Sequence, residues 1–150
     1  MREDQIMKNM NMTIVIADDS VLLRDRIKDL LKDYRNVTII GEAENGLEAL
    51  KLIMEKAPDL AILDIRMPQM NGIEVLKKIR EMGLNSKVCM LTNYPYKQYR
   101  ERCFAEGANY FFDKNLAIEE LKEVIATLSA EKQEKMKMSN DKMVNNHFNQ

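Results

Sequence analysis

Short apolar runs alternate with amphipathic stretches between residue 12 and about residue 130. The runs are too short for helices and rich in β-branched residues, a pattern typical of strands that are buried on both faces. We predict five such strands, at Met12–Ala17, Val37–Ala43, Leu60–Leu63, Val88–Leu91 and Tyr110–Phe112.

The amphipathic stretches carry apolar residues at helical spacing. They predict helices at Ser20–Tyr34, Asn45–Lys56, Asn71–Met82, Tyr96–Glu106 and Ala117–Leu128. Strands that alternate with helices form a parallel sheet with helices on both faces, so the pattern indicates the α/β class. Ligands of such proteins bind at the carboxyl ends of the strands, and the residues at those ends are therefore the candidate functional residues.

The two flanks of this region have a different character. Residues 1–11 are polar, lack the apolar core of a signal peptide and predict a flexible N-terminal segment. Residues 131–150 are rich in Lys, Glu, Asn and Met, and predict a helical extension that frays to a polar tail. One domain is therefore expected over residues 12–130.

Charge and composition exclude several classes of protein. The chain has 150 residues with 23 basic and 24 acidic side chains, a net charge of -1. This balance gives no reason to expect nucleic acid or a membrane surface as a partner. No apolar run approaches the roughly 20 residues of a membrane span. The two cysteines are too few for a disulfide framework or a metal site, so we expect reduced core thiols and a cytoplasmic location.

Polar residues follow four of the predicted strands. They are Asp18 and Asp19 after the first strand, Asp64 after the third, Thr92 after the fourth and Lys114 just past the fifth. Each has an ordinary explanation on its own, such as a helix cap or a turn. A parallel sheet, however, brings all of these ends to one edge. Three carboxylates there repel one another and favour the binding of a hard cation such as Mg²⁺. A carboxylate that lies beside such a cation and a lysine can act as a nucleophile toward phosphorus.

Four segments of the chain resemble the signature segments of response-regulator receiver domains, in their order and spacing. The segments are VIADDS, LDIRMPQMNG, LTN and GANYFFDK. The resemblance covers about residues 12–130. It implies a flavodoxin-like (βα)5 fold, in which a five-stranded parallel sheet has the strand order 2-1-3-4-5.

The same resemblance implies a metal and acceptor site. Asp64 matches the phosphoacceptor. Asp19 matches the carboxylate that binds Mg²⁺ directly, and Asp18 the one that acts through a water. The backbone carbonyl of Arg66 matches a further metal ligand.

Three more residues match the switching apparatus of the family. Thr92 matches the switch hydroxyl, and Lys114 the lysine that pairs with the phosphoryl group. Phe111 takes the position of an aromatic residue that rotates inward on activation. With these residues, the family resemblance implies that phosphorylation alters the surface of the helix after the fourth strand, the fifth strand and the last helix.

The implied function is that of a signalling switch. A histidine kinase or a histidine phosphotransfer protein would donate the phosphoryl group, and an unknown downstream protein would bind the altered surface. Enzymatic activity is expected to be limited to weak self-phosphorylation and autodephosphorylation. One alternative is the receiver portion of a transcription factor, with DNA binding outside this chain because residues 131–150 are too few for a helix-turn-helix. A remote alternative is an aspartyl-nucleophile phosphatase, although the first strand ends in DDS and not in the D-x-D of that class.

Tyr94, Tyr96 and Tyr99 surround the start of the helix after the fourth strand. Two interpretations remain open for them at this stage. They form a surface for a partner protein, or they are ordinary half-buried tyrosines.

Overall fold

A computed structural model describes residues 2–148, with the side chains of residues 6–9 and 147–148 excepted. Within these residues the strands are β1 (Met12–Ala17), β2 (Val37–Ala43), β3 (Leu60–Asp64), β4 (Lys87–Thr92) and β5 (Tyr110–Asp113). The helices are α1 (Glu3–Met10), α2 (Val21–Leu31), α3 (Gly46–Lys56), α4 (Gly72–Glu81), α5 (Lys97–Ala105) and α6 (Ala117–Phe148).

The strands form one parallel sheet in the order β2-β1-β3-β4-β5. This confirms the fold class that the alternating pattern predicted and the strand order that the family resemblance implied. Because all five strands run in the same direction, their carboxyl ends lie at one edge of the sheet. The register places Asp64 beside Leu91 and Thr92 beside Asp113 at that edge.

Two apolar cores lie on opposite faces of the sheet. Helices α3, α4 and α5 cover one face, and α2 and α6 cover the other. Successive residues of β3 point into different cores: Ala61 and Leu63 face the first, and Leu60 and Ile62 face the second. Burial on both sides explains why these strands lack the apolar–polar alternation of a sheet with one solvated face.

Three helices that begin near the carboxyl edge have side-chain caps. The Ser20 hydroxyl accepts a hydrogen bond from the Leu23 amide at the start of α2, at 3.3 Å. Asn45 and Asn71 cap α3 and α4 in the same manner, each at 2.9 Å. Each cap satisfies a backbone donor that has no partner inside the helix, so the turns between these strands and helices are well defined.

The last helix is longer than the apolar pattern indicated. The apolar pattern supported a helix over Ala117–Leu128, and a helical extension was expected over residues 131–150; α6 runs without a break to Phe148. It contacts α1, a helix that was not expected within the polar N-terminal segment. The Lys132 ammonium donates to the Asn11 carbonyl at 2.8 Å and to the Asp59 carboxylate at 2.5 Å. These contacts attach the extension to the edge of the sheet opposite the candidate site. The end of the predicted polar tail, residues 149–150, lies outside the described residues.

Cys89 and Cys103 are both free and buried, as predicted for core thiols. No helix in the described part of the chain combines the length and the apolar character that crossing a membrane requires.

Candidate functional site

Three carboxylates meet at the carboxyl edge of the sheet. Asp18 and Asp19 follow β1, and Asp64 is the last residue of the neighbouring strand β3. One carboxylate oxygen from each residue lies within 4.8 Å of the others. Asp18 and Asp64 are buried, and Asp19 is exposed. The cluster therefore has two buried members and one side open to solvent.

Among the side chains that the structure describes, one lysine reaches the cluster, from the end of β5. The Lys114 ammonium lies 2.8 Å from Asp18 Oδ2 and 3.0 Å from Asp64 Oδ2. Its own amide donates to the Thr92 carbonyl at 2.9 Å, a backbone contact that continues the pairing of β4 and β5. Three carboxylates thus face one ammonium, which leaves two negative charges uncompensated within this group.

Burial, with a smaller contribution from neighbouring charge, shifts the acid–base properties of the site. Burial raises the pKa of the Asp64 carboxyl to about 6, repulsion from Asp18 adds to the shift, and Lys114 and the Arg66 amide oppose it. Burial alone would lower the pKa of Lys114, but hydrogen bonds and attraction from Asp18 and Asp64 outweigh it and raise that pKa.

The donor atoms of the cluster fit a divalent cation. They are carboxylate oxygens, with no imidazole or thiolate among them, and hard cations such as Mg²⁺ prefer oxygen ligands. A cation with two positive charges would balance the two negative charges that Lys114 leaves uncompensated. The residues present therefore match Mg²⁺ in charge and in ligand type.

The loop after Asp64 is shaped by a glycine. The Arg66 amide donates to Asp64 Oδ1 at 3.3 Å, and the Gly72 amide donates to the Ile65 carbonyl at 2.8 Å. A Cβ atom on Gly72 would lie only 2.0 Å from the Asp64 carbonyl oxygen, so a side chain at this position would displace the backbone of the acidic residue. Gln69 has a φ of 71°, in the left-handed region, at the turn of the same loop. The segment from Asp64 to Gly72 is thus a compact turn that holds the carboxylate in place.

Thr92 lies next to the cluster, and Phe111 lies further inside. Thr92 is 1% exposed, and its hydroxyl accepts a hydrogen bond from the Tyr94 amide at 2.9 Å. Phe111 is opposite Met90 in the sheet and packs in the core that α3, α4 and α5 cover. The structure therefore brings Asp18, Asp19, Asp64 and Lys114 together beside the buried Thr92, and it places Phe111 in the adjoining apolar interior.

Arg24 is a residue of this region that sequence reasoning missed. It is buried, and its guanidinium donates a hydrogen bond to the backbone carbonyl of Asp18. Its Nε lies 3.3 Å from the carboxylate of Glu42, in β2, and its Nη2 lies 3.6 Å from that of Glu44, in the turn after β2. The sequence position of Arg24 could have pointed to this contact. A side chain in the first turn of α2 points back toward the residues that precede the helix, and Asp18 is one of them.

A comparison with known families decides between the interpretations of this site. The model of the response regulator receiver domain matches residues 14–126. The chain belongs to the response regulator receiver domain family. This receiver domain is homologous to those of two-component response regulators, which carry signals between proteins.

Several relatives are regulators by name. The receiver domain is 36% identical to BvgA of Bordetella pertussis over 117 residues, which cover 78% of this chain and 54% of BvgA. It is 33% identical to the nitrate/nitrite response regulator protein NarL of Escherichia coli over 109 residues, which cover 73% of this chain and 50% of NarL. The chain thus spans about half the length of these relatives.

A solved structure and an enzyme are also similar to this chain. A DNA-binding response regulator of the LuxR family from Staphylococcus aureus superposes with a TM-score of 0.73 at 37% identity, covering 79% of this chain and 98% of that one. A protein-glutamate methylesterase/protein-glutamine glutaminase of Methanospirillum hungatei is 34% identical over 113 residues, which cover 74% of this chain and 33% of that enzyme. Most of the matched relatives are regulators by name, in agreement with a signalling role for the receiver domain.

Proposed function

We propose that Asp64 is the phosphoacceptor of this receiver domain and that a histidine kinase or a histidine phosphotransfer protein supplies the phosphoryl group. The observation that carries the proposal is the position of the Lys114 ammonium, 3.0 Å from Asp64 Oδ2, within a cluster of three carboxylates. Asp64 is buried and ends a strand. The turn that follows supports it, and the Lys114 ammonium lies beside it. The two free, buried thiols are in keeping with a reducing compartment, and we place the exchange in the cytoplasm.

The proposed reaction is a displacement at phosphorus. An Asp64 carboxylate oxygen forms a bond to phosphorus while the phosphorus–nitrogen bond of the donor breaks. The imidazole nitrogen keeps the electron pair of that bond and takes up a proton from water. The Lys114 ammonium then pairs with a phosphoryl oxygen, and the Thr92 hydroxyl donates a hydrogen bond to another.

A metal ion belongs to this proposal because the charge of the site requires one. The carboxylates of Asp18, Asp19 and Asp64 and the backbone carbonyl of Arg66 are the groups that would hold Mg²⁺. The bound ion would offset the negative charge that the transferring phosphoryl oxygens bring to the cluster. The family resemblance implies that Asp18 would act through a water, and the Lys114 ammonium lies 2.8 Å from its Oδ2.

Switching would follow from the same contacts. A phosphoryl group adds close to two negative charges and strong acceptor oxygens. It would draw Thr92 and Lys114 inward, and space vacated beside Thr92 would be filled by Phe111. A local change of charge would thereby bias a two-state surface formed by α5, β5 and α6, to which a downstream protein binds.

The acceptor is tested with acetyl phosphate and Mg²⁺. Intact mass should increase by one phosphoryl group, and excess EDTA should prevent the increase. Asp19→Ala should lower the rate of incorporation at least about tenfold, as loss of a metal ligand does. Undiminished incorporation in EDTA would exclude the metal-dependent mechanism, and incorporation into Asp64→Asn would exclude this acceptor.

The switch is tested on Thr92→Ala. This variant should still gain the phosphoryl group but lose most of the amide shift changes that beryllofluoride produces over residues 94–112 of the parent. Full shift changes in the variant would show that the signal does not pass through Thr92.

A second candidate function is that of the receiver portion of a transcription regulator. It is favoured by the match to a DNA-binding response regulator and by the coverage of about half of BvgA and NarL. The nucleotide sequence that follows the codon for Gln150 in the gene tests it. A helix-turn-helix encoded in frame there would support this candidate, and a stop codon would exclude it.

A further inference from the structure

A groove opens between α4 and α5 on the side of the molecule next to the loop after Asp64. It encloses about 420 Å³, a volume within the range of small ligand pockets. Ile65 and Ile73 are buried beneath it, and the half-buried ring of Tyr99 completes its apolar lining. The groove is therefore large enough for one or two side chains of a bound molecule.

Three cationic side chains line the same groove. Arg66 comes from the loop after β3, Lys77 from α4 and Arg102 from α5, and all three are exposed. None of the three forms an ion pair with an acidic group anywhere among the side chains that the structure describes.

Glu74, the acidic residue in the lining, offsets only part of the charge of these three cations. Glu74 accepts a hydrogen bond from the Asn71 side chain at 2.6 Å, at the start of α4, where the helix dipole also favours a negative charge. The groove therefore keeps a surplus of positive charge on a chain whose net charge is -1.

An aromatic rim adjoins the cationic side of the groove. The ring centroids of Tyr94 and Tyr96 are 6.0 Å apart, and those of Tyr96 and Tyr99 are 5.9 Å apart. The Arg66 guanidinium lies 3.8 Å from the Tyr94 centroid, a cation–π contact that orders this long side chain. Tyr96 remains 55% exposed. Tyrosine and arginine are enriched in protein interfaces, since they offer large contact areas with polar ends.

We propose that the groove binds an acidic segment of a partner protein, in which Asp or Glu residues flank an apolar side chain. The carboxylates would pair with Arg66, Lys77 and Arg102, and the apolar side chain would enter the cavity over Ile73 and Tyr99. A nucleic acid is the less suitable occupant, because it requires a continuous basic track for successive phosphates. Here three cations surround a single apolar cavity. The proposal goes beyond phosphorylation of Asp64 and does not depend on it.

The probe is a short fluorescein-labelled peptide of Glu and Asp residues around a central Leu-x-x-Phe, added to the unphosphorylated chain without Mg²⁺. Its binding is followed by fluorescence polarisation, and its location by amide shifts of the parent. Saturable binding with the largest shifts in residues 65–77 and 99–102 is the expected result. Lys77→Glu and Arg102→Glu should each weaken binding about tenfold, whereas Lys78→Glu, an exposed neighbour on α4 outside the groove, should change it less than about twofold.

Several outcomes would overturn the proposal. They are equal weakening by Lys77→Glu and Lys78→Glu, shifts centred elsewhere on the surface, or the absence of saturable binding. Equal affinity for an oligothymidylate of the same charge would assign the groove to nucleic acid. All three variants should accept a phosphoryl group from acetyl phosphate as the parent does, so this experiment and the test of Asp64 fail independently of each other. The shifts of the parent keep the test valid if a variant does not fold.

Discussion

The two edges of the sheet use the same residue types with opposite results. At the amino edge, Asp59 meets Thr13 and Lys132. The Asp59 carboxylate accepts hydrogen bonds from the Thr13 amide at 2.8 Å, from its hydroxyl at 3.1 Å and from the Lys132 ammonium at 2.5 Å. One negative charge is matched by one positive charge and by neutral donors. The group is compensated, and its role is to join α6 to the start of the sheet.

At the carboxyl edge, aspartates again meet a lysine, but the charges do not balance. Lys114 serves both Asp18 and Asp64, and Asp19 adds a third carboxylate nearby. Burial and repulsion raise the pKa of Asp64 to about 6, because its ionised form lacks sufficient compensation. The balance of charge, more than the presence of aspartate and lysine, therefore separates the carboxyl edge, which suits a cation, from the structural ion pair at the amino edge.

The difference between the two edges is tested most directly by replacing one aspartate at each edge with asparagine. Asp64→Asn should abolish incorporation of the phosphoryl group from acetyl phosphate, because the amide is not a nucleophile of this kind. Asp59→Asn should leave the incorporation unchanged and lower the free energy of unfolding, since Lys132 and Thr13 lose a charged partner. Intact mass and urea unfolding measure the two effects. Loss of incorporation in Asp59→Asn would remove the distinction between the edges.

Arg24 provides a second, smaller test of how the carboxyl edge is positioned. Arg24→Met removes the donor that holds the Asp18 carbonyl, and we expect the affinity for Mg²⁺ to fall about tenfold. Lys28→Met is the matched control, since Lys28 also pairs with Glu42 but does not contact Asp18. Calorimetric titration with Mg²⁺ measures the affinity, and thermal unfolding measures stability. If both variants bind Mg²⁺ like the parent and differ only in stability, Arg24 supports the fold and does not position the site.

The burial of Asp64 and its repulsion from Asp18 should also make stability depend on pH in the absence of Mg²⁺. The ordinary pKa of an aspartate is 3.8, and that of Asp64 in the folded chain is about 6, so the folded state holds this proton more tightly. The Asp64 contribution to stability is then fully present below pH 3.8 and is lost as the pH rises through 6. Above that pH, Asp64→Asn should be more stable than the parent by about 1–2 kcal/mol, a value reduced for solvent screening.

Urea unfolding at several pH values gives the measurement. The parent should lose stability across this window, and Asp64→Asn should show a smaller loss. If the stability of the parent rises over the same pH interval and does not differ from that of the variant, the pKa of Asp64 is not raised in the folded chain. Saturating Mg²⁺ should reverse the order of the two proteins, because it stabilises the ionised parent.

The smallest effect is expected at the compensated edge. Lys132→Met removes an ion pair whose lysine side chain is 24% exposed, and the free energy of unfolding should fall by about 0.5–1 kcal/mol. Phosphorylation of Asp64 should not change. A loss of several kcal/mol would mean that the α6 extension is required for the core to fold.

The location of the candidate site was predictable from the chain for a simple reason. Parallel strands bring their carboxyl ends together, so Asp18, Asp64 and Lys114 were expected to meet once the short apolar runs had been recognised as strands. Their individual roles came from resemblance to the receiver family and remain proposals. The strand order came from the same source, since an alternation of strands and helices does not specify which strands are neighbours.

Several features could not be read from local patterns. Helix α1 was not expected in the polar N-terminal segment, and its contact with α6 and the pairing of Lys132 with the distant Asp59 appear only in the folded chain. Arg24 and Glu42 are ordinary charged residues in sequence, and their contact with the backbone of Asp18 exists only after α2 and β2 have packed against β1.

Interactions between residues close in sequence thus determined the strands and helices of this receiver domain. The tertiary structure decided which charged groups balance one another. The sequence by itself specified the buried strands, the amphipathic helices and the polar strand ends, because hydrophobic periodicity acts over a few residues. Which lysine compensates which aspartate, and which cations remain unpaired around the groove between α4 and α5, depends on distances of a few ångströms between residues far apart in the chain. Coulombic and hydrogen-bond energies are set by those distances and by burial, and both come into existence only when the chain has folded.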